Sequence, residues 1–510
     1  MNNTNQSSDL RQRHAPIALD GDEFRRLGHQ LVDQIAEFLD SLAQRRVTPG
    51  EGPATVRAAL GAGPVPEQGG DPRALLAEAS RLLIEHSLFN GHPRFMGYIT
   101  SSAAPLGALA DLLAAAVNPN CGGWVLAPMA SEIEGQTIRW IAEMIGYPAG
   151  AGGLLVSGGN MANFVGFLAG RRAKAAWPLR AEGLRDRPQL TVYASKETHT
   201  WIQKAADLFG LGTNAIRWIA VDEQRRMHLG ALEQQIAADR RAGLQPIMVI
   251  GAAGSVAVGA VDPLPQLAQL CQRERLWFHV DGAYGAPAAM LPEAGEDLKG
   301  LALADSIALD PHKWLYSPLE AGCALVKDPQ ALVDTFSFTP DYYHFHEGFD
   351  EQPINYFEFG LQNSRGFRAL KVWLAIRQVG RAGYTQMIRD DIALARALFE
   401  LMKAHPDFEA VTNNLSITTF RYVPADRRSG SIADEAYLNE LNRAILNELE
   451  AGGDMFVSNA IIEEKFLLRA CIVNFRTSLA DIEAVPEIVA RVGRTIDTRL
   501  RAEQAKAVRD

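Results

Sequence analysis

Apolar residues recur at spacings of three and four from Phe24 through Leu27, Leu31, Ile35, Phe38 and Leu42. This pattern predicts one amphipathic helix from Asp22, ended by Thr48-Pro49-Gly50. Residues 50–72 hold many glycines and prolines and read as loop, and a second short helix is expected over Pro72–Leu88. Two such helices cannot bury both stripes on each other completely. They must dock on the main body or on a partner chain.

From Gly91 to Gly383 short β-type runs alternate with helical patterns. The expected strands are Leu154–Ser157, Leu190–Ala194, Ile216–Ala220, Ile247–Gly251, Trp277–Asp281, Ser306–Leu309 and Cys323–Val326. Most are continuous apolar runs, the pattern of strands covered by helices on both faces. Helical patterns such as Leu229–Ala242 and Leu264–Arg273 lie between them. The expectation is an α/β domain with a largely parallel seven-stranded sheet. After Tyr384 the rhythm changes to helix (Tyr384–Ala404), strand (Ser416–Tyr422), helix (Ile432–Glu450), strand (Phe466–Phe475) and helix (Asp481–Ala502). Three parts are therefore expected: a helical segment at 1–90, a large α/β domain at 91–383 and a small α+β domain at 384–510.

Composition narrows the class. Of 510 residues, 47% are hydrophobic and 22% charged, which excludes a disordered chain, a collagen and a coiled coil. The net charge of −10 gives no surface for nucleic acid, which needs clustered positive charge. The uncharged windows Leu112–Ser131 and Pro246–Val261 are broken by Pro and Gly or fall short of the ~20 residues of a membrane span. The first residues are polar and hold no apolar core of a signal peptide. Cys121, Cys271, Cys323 and Cys471 lie far apart without metal-ligand spacing, so they are expected reduced in a cytoplasmic protein, with no metal.

The strongest chemical signal is Asp310-Pro311-His312-Lys313-Trp314, directly after an apolar run. A lone Lys at a strand end is ordinarily a snorkelling side chain. In a desolvated pocket its amine becomes a nucleophile toward a carbonyl, for which the aldehyde of pyridoxal phosphate is the obvious partner. Upstream, Asp281 ends the apolar strand of Leu276-Trp277-Phe278-His279-Val280-Asp281, followed by the small Gly282 and Ala283. A carboxylate there can pair with the cofactor's ring nitrogen, and a flat ring can lie on Ala283; alternatively Asp281 caps the next turn. Ser157-Gly158-Gly159-Asn160 joins a strand to a helix, as an anion-binding turn does, with Asn160 either capping the helix or donating to phosphate. His199 follows another strand and could stack on the ring face opposite Ala283.

With these pieces in place, the chain resembles the group II pyridoxal-phosphate-dependent amino-acid decarboxylases, the family of aromatic-L-amino-acid decarboxylase. The matching elements run in family order over roughly residues 20–500. They are Glu23-Phe24-Arg25-Arg26 with Val32-Asp33, His92-Pro93-Arg94-Phe95, Gly158-Gly159-Asn160, His199, His279-Val280-Asp281 with Tyr284, and Pro311-His312-Lys313-Trp314. Phe367-Arg368-Ala369-Leu370-Lys371-Val372-Trp373 and Leu468-Arg469 with Asn474 and Thr477 complete them. The resemblance implies fold type I, a homodimer with the site at the subunit interface, and pyridoxal 5'-phosphate as cofactor. It implies that Lys313 attaches the cofactor, Asp281 pairs with the ring nitrogen and His199 stacks on the ring. Gly159 and Asn160 would hold the phosphate, with Ser306 and His312 nearby. Tyr356, aligned without gaps upstream of Phe367-Arg368, would be the mobile-loop tyrosine that returns a proton after carbon dioxide leaves.

Three positions depart from the animal enzymes. Val256 stands where they carry a cofactor-contacting Thr, with Ser255 as neighbouring substitute. Asp310 replaces an Asn. Gly97-Tyr98-Ile99-Thr100-Ser101-Ser102 differs by a one-residue gap from the wall that faces aromatic substrates. The expected activity is decarboxylation of an L-amino acid, with an aromatic substrate favoured by the aromatics of Phe336–Phe359 (Tyr342, Tyr343, Phe345, Phe349, Tyr356, Phe357). The rivals are glutamate or diaminobutyrate as substrate, aminotransfer or aldehyde-forming deamination, and a cofactor-binding scaffold without catalysis. The aldehyde-forming branch typically carries Phe at the loop position, so Tyr356 counts against it.

Overall fold

The computed structural model describes residues 15–338 and 352–507. They fall into two compact units, residues 15–89 with 451–453 and residues 90–450 with 454–507.

The first unit holds three helices, α1 (Gly21–Ser41), α2 (Pro53–Leu60) and α3 (Pro72–Glu85). Asp20 caps α1 by accepting from the amides of Asp22 and Glu23 at 3.0 and 2.8 Å. Asp71 caps α3 through the Ala74 amide, with Pro72 in the first turn. The stretch 50–72, read as loop, contains α2. Its Gly52-Pro53 start is a helix entry as well as a breaker, and eight residues are too few for periodicity to register. The α1 stripe is uneven: Leu27 is buried, whereas Phe24 and Ile35 are exposed in the single chain, as is Val32 next to the stripe.

The second unit is built on a seven-stranded sheet of β1 (Gly152–Val156), β2 (Leu190–Ser195), β3 (Ile216–Ile219), β4 (Gln245–Ala252), β5 (Trp277–Asp281), β6 (Ser306–Leu309) and β7 (Gly322–Val326). All seven expected strands are present. Their order is β1-β7-β6-β5-β4-β2-β3, with β7 antiparallel to both neighbours and the rest parallel where they pair. Strands β2, β6 and β7 are buried throughout, which is why they read as unbroken apolar runs. The uncharged window 112–131 spans the end of α4 (Pro105–Val117), a turn and the start of α5 (Pro128–Met144). Among the described residues no helix is long and apolar enough to cross a membrane.

Helix α6 (Gly159–Lys174) follows β1 and covers the sheet. A long helix, α7 (Ala369–Ala404), runs across residues 383 and 384 with non-helical angles at Gly380. It leads to a second, antiparallel sheet of β8 (Phe408–Asn414), β9 (Ile417–Tyr422), β10 (Ser458–Ile462) and β11 (Lys465–Cys471), ordered β10-β11-β9-β8. Only β9 and β11 were legible as apolar runs. β10 alternates buried and exposed positions and β8 is half-buried over most of its length, so neither concentrates enough apolar residues to stand out.

Because β7 runs backward, it starts at the same end of the sheet where β6 finishes, and residues 310–321 form a compact turn there. That turn closes on the β1–α6 connection. A Cβ on Gly322 would lie 2.6 Å from the carbonyl carbon and oxygen of Gly158, so only glycine lets the two backbones meet. Gly322→Ala is therefore expected to cost about 1–3 kcal/mol of stability as an overpacking change. Urea unfolding checks this, and an unchanged midpoint would contradict the close approach.

Candidate active site

The parallel strands and β1 all end at one rim, and the residues just beyond those ends line a cavity of about 410 Å³. β1 supplies Ser157 with Gly158, Gly159 and Asn160; the turn after β2 supplies Glu197, Thr198 and His199; β4 leads to Ser255 and Val256. Asp281 and Ala283 follow from β5, and Asp310, His312 and Lys313 from β6. Ile99 and Leu319 add apolar surface.

Lys313 Nζ lies 3.0 Å from Asp310 Oδ2, with the lysine side chain about one-fifth exposed and the carboxylate almost wholly buried. Asp310 Oδ1 is buried without a hydrogen-bond partner among the described residues. Asp281 Oδ2 accepts from the indole of Trp201 at 2.7 Å, and its Oδ1 from the Ala283 amide at 3.2 Å. Trp201 is fully buried and meets His279 edge-on at 5.6 Å, so the carboxylate is held from a rigid base. The Trp201 amide also donates to His199 Nδ1 at 3.3 Å. Burial lowers the His199 pKa, Asp281 opposes this and Lys313 adds to it; the balance favours neutral imidazole.

Helix α6 begins at the cavity with Gly158 as its N-cap, at φ +92°, and no side chain caps it. Asn160 lines the cavity without capping the helix. Asn163, one turn on, bonds back to the Gly159 carbonyl at 2.9 Å and to His279 Nε2 at 2.8 Å. The cavity thus combines open helix amides, a lysine amine and a fixed carboxylate. An anionic group, an aldehyde and a ring nitrogen would each find a matching partner, so the donor set fits pyridoxal phosphate.

The Lys313 turn is anchored from behind. The Trp314 indole and the Tyr316 hydroxyl both donate to Asp391 Oδ2, at 2.8 and 2.6 Å, and the Tyr384 hydroxyl donates to the Leu315 carbonyl at 3.0 Å. Trp314 stacks on Tyr284 at 4.8 Å, and Tyr284 hydrogen-bonds Ser416. Sequence reasoning missed Asp391 and Trp201. Trp201 stands two residues after His199 and could have been noticed, but Asp391 carries no local signal.

Two expected site residues lie elsewhere. Ser306 begins β6, at the end of the strand away from the cavity, and its hydroxyl is engaged by Trp277 Nε1 and His279 Nδ1 at 2.8 Å each. Three residue steps at ~3.3 Å separate it from the strand's carboxyl end. Tyr356 is only 1% exposed and does not line the cavity; its ring lies under Arg365 at 4.9 Å and edge-on to Phe359. Burial pushes its phenol pKa well above the usual value. A gap-free alignment places a residue in order along the chain but not in depth. Of the aromatic-rich segment, Tyr342, Tyr343, Phe345 and Phe349 lie outside the described residues.

Known proteins resemble this chain over most of its length. The family model described as pyridoxal-dependent decarboxylase conserved domain matches residues 59–423. An aromatic-L-amino-acid decarboxylase of Bacillus atrophaeus is 36% identical over 467 residues, covering 91% of this chain and 94% of that protein. A phenylacetaldehyde synthase of a Rosa hybrid cultivar is 28% identical, covering 89% and 91%. Among solved structures, Oryza sativa TDC with PLP and tryptamine superposes with a TM-score of 0.87 at 26% identity, covering 95% of this chain and 100% of that one.

Asp391 offers a direct pH test of the anchor. Burial pushes its pKa up to about 7, against the opposing hydrogen bonds from Tyr316 and Trp314. The folded state then holds this proton more tightly than the unfolded chain, whose carboxyl titrates near ~3.9. Raising the pH from about 4 to about 7 therefore removes stability, and above that window the contribution is flat. Asp391→Asn lacks the titration. The melting temperature of wild type minus that of the variant should fall across the window. A difference independent of pH would contradict the assignment.

Proposed function

The chain belongs to the pyridoxal-dependent decarboxylase family, and from that premise we propose that it converts an aromatic L-amino acid to its amine and carbon dioxide. The observation that carries the reading is the meeting of Lys313, Asp281 and the uncapped start of α6 in one cavity. Pyridoxal phosphate, when bound, supplies the electron sink for loss of the carboxylate. In this reading the amides of Gly159 and Asn160 hold its phosphate at the helix N-terminus, with His312 beside them, while Ser255 lines the cavity from the end of β4. The carboxylate of Asp281, braced by Trp201, keeps a proton on the ring nitrogen. His199 and Ala283 enclose the ring. Asp310 Oδ2 holds the Lys313 ammonium, and the amine must leave that pair to act as a nucleophile. Ile99, Val256 and Leu319 give the substrate side apolar surface that excludes water and suits a flat side chain.

Tyr356 has no part in this scheme, because its hydroxyl is enclosed away from the cavity. Its removal also removes the argument against the aldehyde-forming reaction. The likeness to a phenylacetaldehyde synthase therefore supports a second reading, in which amino acid, dioxygen and water give aldehyde, carbon dioxide, ammonia and hydrogen peroxide. The exposed Phe24, Val32 and Ile35 of α1 support a homodimer, since a contiguous apolar face of this kind is ordinarily covered. All four cysteines are buried and unpaired, which supports a reducing compartment such as the cytoplasm.

Incubation with mixed L-amino acids in air, followed by mass spectrometry, should show an arylalkylamine as main product. Aldehyde with equimolar peroxide would favour the second reading, and an amine from glutamate or diaminobutyrate would refute the aromatic assignment. Borohydride reduction of the loaded protein should tag Lys313, and Lys313→Ala should abolish both the tag and turnover. A tag on another lysine would displace Lys313 from its role. Light scattering should give twice the chain mass; an active monomer would exclude the dimer.

A further inference from the structure

Strand β1 is the edge of the seven-stranded sheet, hydrogen-bonded to β7 on one side only. In an antiparallel pair alternate residues turn both backbone groups away from the partner. Such open edges are ordinarily covered by another strand or left to solvent. Here the amide of Leu155 donates to Glu134 Oε1 at 2.9 Å, and its carbonyl accepts from Arg365 Nη2 at 2.6 Å. Glu134 and Arg365 are themselves paired at 2.5 Å, with side-chain exposures of 0% and 1%. One carboxylate and one guanidinium thus provide the acceptor and donor that a neighbouring strand would have offered to this residue.

The same guanidinium reaches the Cys121 carbonyl through Nη1 at 2.9 Å. The Cys121 amide donates to the Arg365 carbonyl at 2.9 Å, and Tyr356 covers the guanidinium face. Two residues after Leu155 the chain enters Ser157-Gly158-Gly159-Asn160. The ion pair thus holds the strand two residues before that turn.

A buried ion pair is a poor device for stability alone, because desolvation offsets its attraction and apolar residues of similar volume serve as well. Its value lies in direction: the fork of Arg365 and the two oxygens of Glu134 define where the Leu155 peptide must sit. We propose that Glu134 and Arg365 are positioning residues for the cofactor's phosphate, setting the end of β1 so that the Gly159 and Asn160 amides converge on it. This rests on the reading of that turn as the phosphate cradle.

The test compares two probes, pyridoxal 5'-phosphate and pyridoxal, which differ only in the phosphate. The variant is Glu134→Leu with Arg365→Met, which keeps the volume and removes both charges. Its affinity for pyridoxal phosphate should fall about tenfold or more, equivalent to the loss of one good directional contact. Its affinity for pyridoxal should be unchanged, and hydrogen exchange at the amides of residues 157–161 should quicken in the cofactor-free protein. Equal loss for both probes, or no loss for either, would overturn the proposal. Should the double variant not fold, Arg365→Lys keeps the charge and loses the fork. It should show the same phosphate-selective loss, smaller in size, and a non-selective loss would overturn the proposal in the same way. A wild-type chain that bound pyridoxal and its phosphate equally well would instead refute the cradle itself.

Discussion

A lysine ammonium beside a buried carboxylate is costly to maintain unless the surroundings hold both groups in place. Lys313 and Asp310 form such a pair at the rim where the parallel strands end. Most of the second unit's unusual features relate to it. The reversed β7 brings the chain straight back so that the 310–321 turn stays compact, and Gly322 lets that turn press against Gly158. The parallel strands deliver Asp281, His199 and Ser255 to the same rim because their carboxyl ends coincide.

Support for the rim comes from behind and from the side. Asp391 and Tyr384 on α7 hold the three residues that follow Lys313, and the Trp314–Tyr284–Ser416 contacts tie that anchor to the second sheet. Trp201 holds Asp281, and Asn163 and Ser306 hold His279 in the layer beneath. At the sheet edge, Glu134 and Arg365 take the place of a strand. Each support is a polar group buried with a directional partner, the arrangement that fixes geometry even where its net stabilisation is small.

The fate of Tyr356 and Ser306 shows where linear reasoning fails. The family resemblance places both at the site by their order along the chain. Ser306 is at the end of β6 away from the cavity, and Tyr356 is packed beneath Arg365. Neither depth nor strand direction leaves a mark on residue type at a single position. Trp201 and Asp391 failed in the opposite sense, since an aromatic near a histidine and an acid within a helix are commonplace until their partners are known.

The sequence by itself determined the seven strands, the α/β class and most of the candidate residues that the structure brings to one cavity. Unbroken apolar runs are forced on strands buried on both faces, and Lys313, Asp281, His199 and Gly158-Gly159 are marked by standing where such runs end. Only the tertiary structure decided the strand order, the reversal of β7, and which groups brace the site. Those depend on partners 80 residues away, as for Trp201 and Asp281, or 231 away, as for Glu134 and Arg365. Hydrogen bonds across such separations are set by packing of the whole sheet, and no local pattern along the chain encodes them.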